Sequence, residues 1–311
     1  MTTWGLSATI LAPARDILRF AAYHLDQGAH RLYIYLDADT PDAYNALKSH
    51  PKIRVQTCDD AHWKRLCGAR PDKHQVRQTM NATHAYNRRA EVDWLIHMDA
   101  DEFLVPDGAV ADVLATVPGD VTSARVRPME LLGGSADAFK AFIPADGQRR
   151  TRVGRIYPTY GTHLKGGFLS HVAGKLFVRS GLDGITVKIH NAFQSDRMLP
   201  DAQEPGGIAL AHCHAKSWED WQAAYAYRLD KGSYRAELKP AVKPEQGGMS
   251  LHDLFRGIEA EQGTAGLRAF YDEVVGDSPD LRARLDAHGL LRIVPLDLDG
   301  ACARHFPDAP V

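Results

Sequence analysis

Apolar residues in the first hundred positions come in short runs separated by longer amphipathic stretches, a rhythm that predicts alternating strands and helices. Gly5 to Leu11 reads as a buried strand, and Asp16 is placed to cap the helix that follows. In that helix Ile17, Phe20, Ala21, His24 and Leu25 recur at helical spacing, and Gly28 supplies the stop. Arg31 to Leu36 predicts a second strand. Asp39-Thr40-Pro41 opens the next helix with proline at its favoured first position, and Ile53 to Thr57 predicts a third strand. A long polar helix over about Pro71 to Ala90 leads to a fourth strand, Trp94 to Met98. This alternation implies an α/β chain with a mostly parallel sheet covered on both faces. In such sheets ligands lie beyond the carboxyl ends of the strands, which directs attention to the acids after Leu36 and Met98.

The middle of the chain is less regular. Gly133-Gly134-Ser135 and Gly166-Gly167 mark flexible connections, while Gly174 to Arg179, Ile185 to Ala192 and Ile208 to Cys213 predict strands. From Ser217 the pattern turns helical. Ser217 with Asp220 resembles a capping box, and Trp218 and Trp221 at helical spacing read as core. Lys239 to Gly248 reads as a linker and residues 251–290 as short helices, so the expected organisation is a domain over 1–235 and a helical extension over 236–311.

Composition narrows the function classes. The 311 residues are 44% hydrophobic and 24% charged, with 37 Lys plus Arg against 39 Asp plus Glu, a formal charge of -2. Such a chain has no overall field to hold nucleic acid. Cys58, Cys67, Cys213 and Cys302 form no Cys-x-x-Cys pair and no disulfide framework, which argues against a cysteine zinc site and for a reducing compartment. The start lacks the basic and apolar regions of a signal peptide, and no integral membrane segment is expected. Together these imply a cytoplasmic protein, with peripheral attachment at the inner membrane face as a variant.

Chemistry concentrates at the exit of the fourth strand, where Asp99, Asp101 and Glu102 crowd together. In extended chain, residues two apart face the same way, so Asp99 and Asp101 are expected to point together around the small Ala100. Hard oxygen ligands in that arrangement suit Mg²⁺ or Mn²⁺ with phosphate oxygens. An acidic turn capping the next helix is the competing structural reading. A calcium EF-hand fails, because Phe103 and Leu104 stand where oxygen and glycine are needed. His24, on an apolar helix face, reads as a hydrogen-bonded core residue. Arg149, Arg150, Arg152 and Arg155 read as a solvated face, with closure over a diphosphate as the functional alternative.

Tyr23-His24-Leu25 with Gly28, Tyr33-Ile34-Tyr35-Leu36-Asp37, Trp94-Leu95 and Met98-Asp99-Ala100-Asp101-Glu102-Phe103-Leu104 form an ordered set. Gly174 to Arg179, His190 and Leu210-Ala211-His212-Cys213-His214-Ala215-Lys216-Ser217 continue it. This set, over roughly residues 4–232, resembles bacterial glycosyltransferases of the family 2-like group. The resemblance implies a GT-A fold, with a mixed, mostly parallel central sheet flanked by helices. It also implies Mn²⁺ or Mg²⁺ and a nucleoside-diphosphate sugar, most simply of the UDP type. By position it places Asp37 near the nucleoside, Asp99 at the ribose or metal, Asp101 on the metal directly, and His212 as a further metal ligand. Lys175 and His190 take positions that meet the diphosphate or sugar. The chain departs from the pattern after its first strand, where Ala14-Arg15-Asp16 stands in place of an acidic residue beside Asn or Asp.

The implied activity is transfer of a hexosyl group to a hydroxyl of a glycan or other acceptor, with inversion, in polysaccharide or surface-glycan synthesis. Glu130, near the Gly133-Gly134 loop, is the candidate general base. Two other classes compete: a nucleotidyltransferase or related nucleotide-metal enzyme on a similar sheet, and a non-catalytic carbohydrate-binding module.

Overall fold

The computed structural model describes residues 1–88, 91–200 and 203–309. In chain order the elements begin with β1 (Trp4–Ile10), α1 (Ala14–Asp26), β2 (Arg31–Leu36), α2 (Pro41–Ser49), β3 (Ile53–Thr57), α3 (Asp60–Cys67) and α4 (His74–Asn87). They continue with β4 (Trp94–His97), β5 (Glu102–Pro106), α5 (Val110–Ala115), β6 (Ser123–Val126), β7 (Pro128–Leu131), β8 (Ala138–Lys140) and α6 (Arg149–Ile156). Next come β9 (Lys175–Arg179), β10 (Ile185–Val187), β11 (Ala192–Gln194), β12 (Arg197–Met198) and β13 (Ile208–His212). The chain closes with α7 (Trp218–Asp230), α8 (Leu251–Val274), α9 (Pro279–Asp286), β14 (Leu291–Ile293) and α10 (Leu298–His305).

These elements gather into two compact units, one of Met1–Arg127, Ala173–Leu210 and Asp297–Val311, the other of Pro128–Val172 and Ala211–Leu296. The first unit holds a sheet in the order β3-β2-β1-β4-β9-β6. β3, β2, β1 and β4 run parallel, and β9 is antiparallel to both β4 and β6, so the sheet is mixed. Every residue of β1 is buried, as a central strand covered on both faces requires. One face packs Tyr33, Tyr35, Leu95 and Val178 with Trp63 of α3 and Ala82, Ala85 and Tyr86 of α4. The chain's last helix belongs to this unit as well: α10 lies on α1, with Arg304 and His305 on Asp26 and Arg19 on Asp299.

In the second unit β8 pairs antiparallel with both β7 and β14. Its core joins Leu132, Tyr157, Trp221, Tyr234, Phe255, Phe270 and Leu281. The boundary expected at residue 235 falls within the second unit. Helices α8 and α9 bury Phe255, Phe270 and Leu281 in one cluster with residues from 132 to 169.

The strands expected at Arg31–Leu36 and Ile53–Thr57 form over those residues, and α1 and α2 start close to their expected positions. Asp16, however, lies in the first turn of α1 and does not cap it; Pro13 holds that position. The polar helix covers His74–Asn87, and its expected end at Ala90 lies outside the described residues. The single strand expected over Ile185–Ala192 is instead two, β10 and β11, paired antiparallel. Ser217 caps α7 as its spacing predicts, accepting from the Asp220 N–H at 3.1 Å.

Candidate active site

Because β1, β2 and β4 are parallel, the residues that follow β2 and β4 leave the sheet at the same edge. Asp37 follows β2, and Asp99, Asp101 and Glu102 follow β4. The acidic stretch is a turn rather than extended chain. The Glu102 N–H donates to the Asp99 carbonyl at 3.1 Å, and the Asp99 N–H donates to Glu102 Oε2 at 2.9 Å. That turn removes the two-residue alternation on which a shared direction for Asp99 and Asp101 rested.

The two oxygens of Asp99 have separate partners. Gln78 Nε2 donates to Oδ1, and Lys175 Nζ lies 2.6 Å from Oδ2. Lys175 also sits 3.2 Å from Glu102 Oε2, and its side chain is 0% exposed. Burial works against a charged lysine, but Asp99 and Glu102 outweigh it and raise the ammonium's pKa above its ordinary value. Lys175 is delivered here because β9 pairs with β6 in the register Val126↔Lys175. The preceding residue must be glycine: Gly174 has φ +69°, and a Cβ there would lie 1.9 Å from the Val126 carbonyl oxygen. Lys175, expected to meet the diphosphate or the sugar, has its ammonium on the Asp99 and Glu102 carboxylates.

His97 closes β4 just before this turn. It is 3% exposed, and neither ring nitrogen has a hydrogen-bond partner among the described residues. Burial first, then the Lys175 charge, lowers its pKa to about 4, so the ring is neutral near pH 7. His190 is held by its Nδ1, 3.0 Å from the Gly174 carbonyl oxygen, and its own carbonyl accepts from Arg125 at 2.9 Å.

Asp37 is buried and clamped. Arg77 Nε donates to Oδ2 at 2.8 Å, Arg70 Nη2 donates to Oδ1 at 2.9 Å, and His74 Nδ1 is 3.6 Å away. Burial pushes its pKa up, but His74 and the two guanidiniums prevail and hold it below the usual carboxylate range. Arg77 also donates to the Pro71 and Asp72 carbonyls, each at 2.8 Å, which fixes the loop before α4. Consecutive residues of one helix, Arg77 and Gln78, thus reach the acids at two strand ends. Sequence reading missed both; the one available signal was basic and amide residues concentrated in a helix of weak amphipathicity.

The remaining candidates lie in the second unit. Glu130 of β7 faces Lys140 of β8 in register, with Lys140 Nζ 3.1 Å from Glu130 Oε2. Glu130 further accepts from the Leu169 N–H at 3.2 Å, the Ser170 N–H at 2.6 Å and the Ser170 hydroxyl. Burial alone would raise its carboxyl, yet Lys140, His214 and Ser170 bring it down to about 2. Glu130, the expected general base, thus sits in a buried ion pair with Lys140. His212 ends β13 with its ring 5.2 Å from that of His171 and 5.3 Å from that of His214. His214 Nε2 is 3.3 Å from the Tyr234 hydroxyl. Arg149 lies over the Phe142 ring and against Gly166, so this member of the basic run is packed rather than solvated. His24 is a core histidine, as expected, with Nδ1 2.8 Å from the Phe20 carbonyl oxygen.

A scan of protein-family models finds no match, and neither does a search of curated proteins. Among solved structures, the chain is similar to HddC from Yersinia pseudotuberculosis at 10% identity, over 73% of this chain and 99% of that one, with a TM-score of 0.38. It is also similar to the galactosyltransferase LgtC, solved with donor and acceptor sugar analogues, at 10% identity over 56% of this chain and 57% of that one, TM-score 0.28. The glycosyltransferase GlyE of Streptococcus pneumoniae TIGR4 matches at 15% identity over 40% of this chain and 30% of that one, TM-score 0.27. The chain spans little more than half of LgtC and under a third of GlyE. Likenesses this distant assign no activity.

Proposed function

We propose that this chain is a metal-dependent glycosyltransferase of the GT-A type. It moves a sugar from a nucleoside-diphosphate donor, of the UDP type, to an acceptor hydroxyl, with inversion, in polysaccharide or surface-glycan synthesis. The observation that carries this reading is the acidic turn at the carboxyl end of β4, beside the clamped Asp37 at the carboxyl end of β2. Open α/β sheets bind their ligands at that edge. The donor set fits Mn²⁺ or Mg²⁺, because the carboxylate oxygens of Asp99, Asp101 and Glu102 are hard ligands. Asp101 is the carboxylate assigned to the cation. When bound, such a cation offsets the negative charge that grows on a departing diphosphate.

The chain's own residues hold the reactants. Arg77 and Arg70 fix Asp37 and the loop before α4 on the nucleoside side. Lys175 and Gln78 fix the acidic turn, and His190 is the candidate toward the sugar. The acceptor hydroxyl is positioned for attack. Nucleotidyl transfer asks for a basic residue just after β1, and Arg15, in the first turn of α1, lies 3.7 Å from Asp299. The test is a thermal-shift series with UDP-, GDP- and dTDP-sugars, with and without Mn²⁺, followed by an assay of nucleotide release. Mn²⁺-dependent stabilisation by one donor, lost in Asp101→Ala, is the expected outcome. No response to any donor in the wild type refutes the reading; a response to nucleoside triphosphates alone replaces it with nucleotidyl transfer.

A further inference from the structure

The face of the first unit's sheet that α4 covers carries a row of buried polar side chains. Ser7 and Thr9 are alternate residues of β1. Ser7 stands in register with His97 of β4 and with Tyr33 of β2, and Thr9 with Tyr35. In-register residues of neighbouring parallel strands point to the same face. Thr9 identifies that face, because its Oγ1 accepts from Asn81 Nδ2 of α4 at 3.1 Å. The Asn81 amide is completed by His62, whose Nε2 lies 2.8 Å from Asn81 Oδ1. Two residues back along β1 the pattern changes. Ser7 is 1% exposed and His97 3%, yet the Ser7 hydroxyl and both His97 ring nitrogens have no hydrogen-bond partner among the described residues. Buried polar groups in native proteins are almost always satisfied, by protein or by ordered water. The neighbouring residues of α4 on this face are Ala82 and Ala85, which pack in one cluster with Tyr33 and Leu95. Both are short and bring no polar side-chain atom of their own.

We infer that Ser7 and His97 hold a buried water molecule between β1, β4 and α4. A hydroxyl offers one donor and two lone pairs, and a neutral imidazole one donor and one acceptor. Water matches both: it accepts from one group and donates to the other. Two polar partners are enough to keep a water in a protein interior. Thr9 needs no such bridge, because Asn81 reaches it directly; above Ser7 and His97 the helix presents alanine, and the solvent molecule takes the place an amide fills one step along. Water at this position requires no sugar donor, acceptor or cation, so it stands apart from the activity proposed above.

The experiment uses the full chain, with water itself as the probe. A crystal structure at a resolution that shows ordered solvent should place a water about 2.7–3.2 Å from both Ser7 Oγ and a His97 ring nitrogen. In solution, nuclear magnetic resonance of the labelled histidine rings should show an Overhauser contact between a long-lived water and the His97 ring protons. Ser7→Ala removes one of the two groups that hold the water. The contact should then fall several-fold, and the His97 ring-nitrogen resonances should shift. Should Ser7→Ala fail to fold, the wild-type crystal structure decides alone. A direct Ser7–His97 hydrogen bond with no water between them, a crystal structure in which neither side chain meets a water, or His97 resonances that Ser7→Ala leaves unchanged overturns the inference.

Discussion

Glu130→Gln isolates one buried charge and shows what it does for the fold. The wild-type carboxylate and Lys140 lie 3.1 Å apart at exposures of 3% and 1%, so removing the anion leaves a buried ammonium with less compensation for lost hydration. Lys140 retains its hydrogen bonds to the Gly167 and Val274 carbonyls, at 3.1 and 2.9 Å, but those neutral oxygens do not replace an anion. Lowering the Glu130 carboxyl from 4.5 to about 2 corresponds to roughly 3 kcal/mol of folding free energy at neutral pH. Removing one partner of a buried pair costs about 3–5 kcal/mol, which agrees. The pH dependence has a definite sign. The folded-state pKa is depressed, so the stability is complete above the ordinary value of 4.5 and is lost as pH falls toward about 2. Urea unfolding at pH 7 should therefore show Glu130→Gln less stable by roughly 3 kcal/mol, and the gap should narrow to roughly half or less as both proteins are taken toward pH 3. A hydrophobic replacement of both residues, Glu130→Leu/Lys140→Met, should recover much of the loss. Equal stability of Glu130→Gln and wild type at pH 7, or a gap that does not shrink with acid, would refute the reasoning.

Other sites give independent tests. Arg77→Met leaves Asp37 buried with less compensation and frees the Pro71 and Asp72 carbonyls; about 2–4 kcal/mol of stability should be lost in urea unfolding, and less in Asp37→Asn/Arg77→Met. Gly174→Ala forces a Cβ against the Val126 carbonyl at positive φ and should cost about 2 kcal/mol or more, measured by calorimetry. Ser217→Ala removes the cap on α7 and should cost about 1 kcal/mol, a small but resolvable shift in the unfolding midpoint. Each prediction fails if the variant matches wild type.

The sequence by itself determined the elements whose signals are local. A run such as Arg31–Leu36, the proline that opens α2 and the serine before α7 act within a few residues, through burial on one face or a single backbone hydrogen bond. It also determined that acids crowd the exit of β4, because chain order alone brings Asp99, Asp101 and Glu102 together. Only the tertiary structure decided what those acids do. Lys175 reaches Asp99 across 76 positions through the pairing of β9 with β4 and β6, and Gln78 arrives across 21 from α4. The turn at Asp99–Glu102 likewise overrode the extended geometry expected from the flanking strand. Glu130, the expected general base, likewise gains a buried ion-pair partner, Lys140, from the next strand. Periodicity reports which face of a segment is buried; it carries no information about which distant charge will share that burial. In a buried site the cost of an unpaired charge makes the partner decisive, and strand topology chooses the partner.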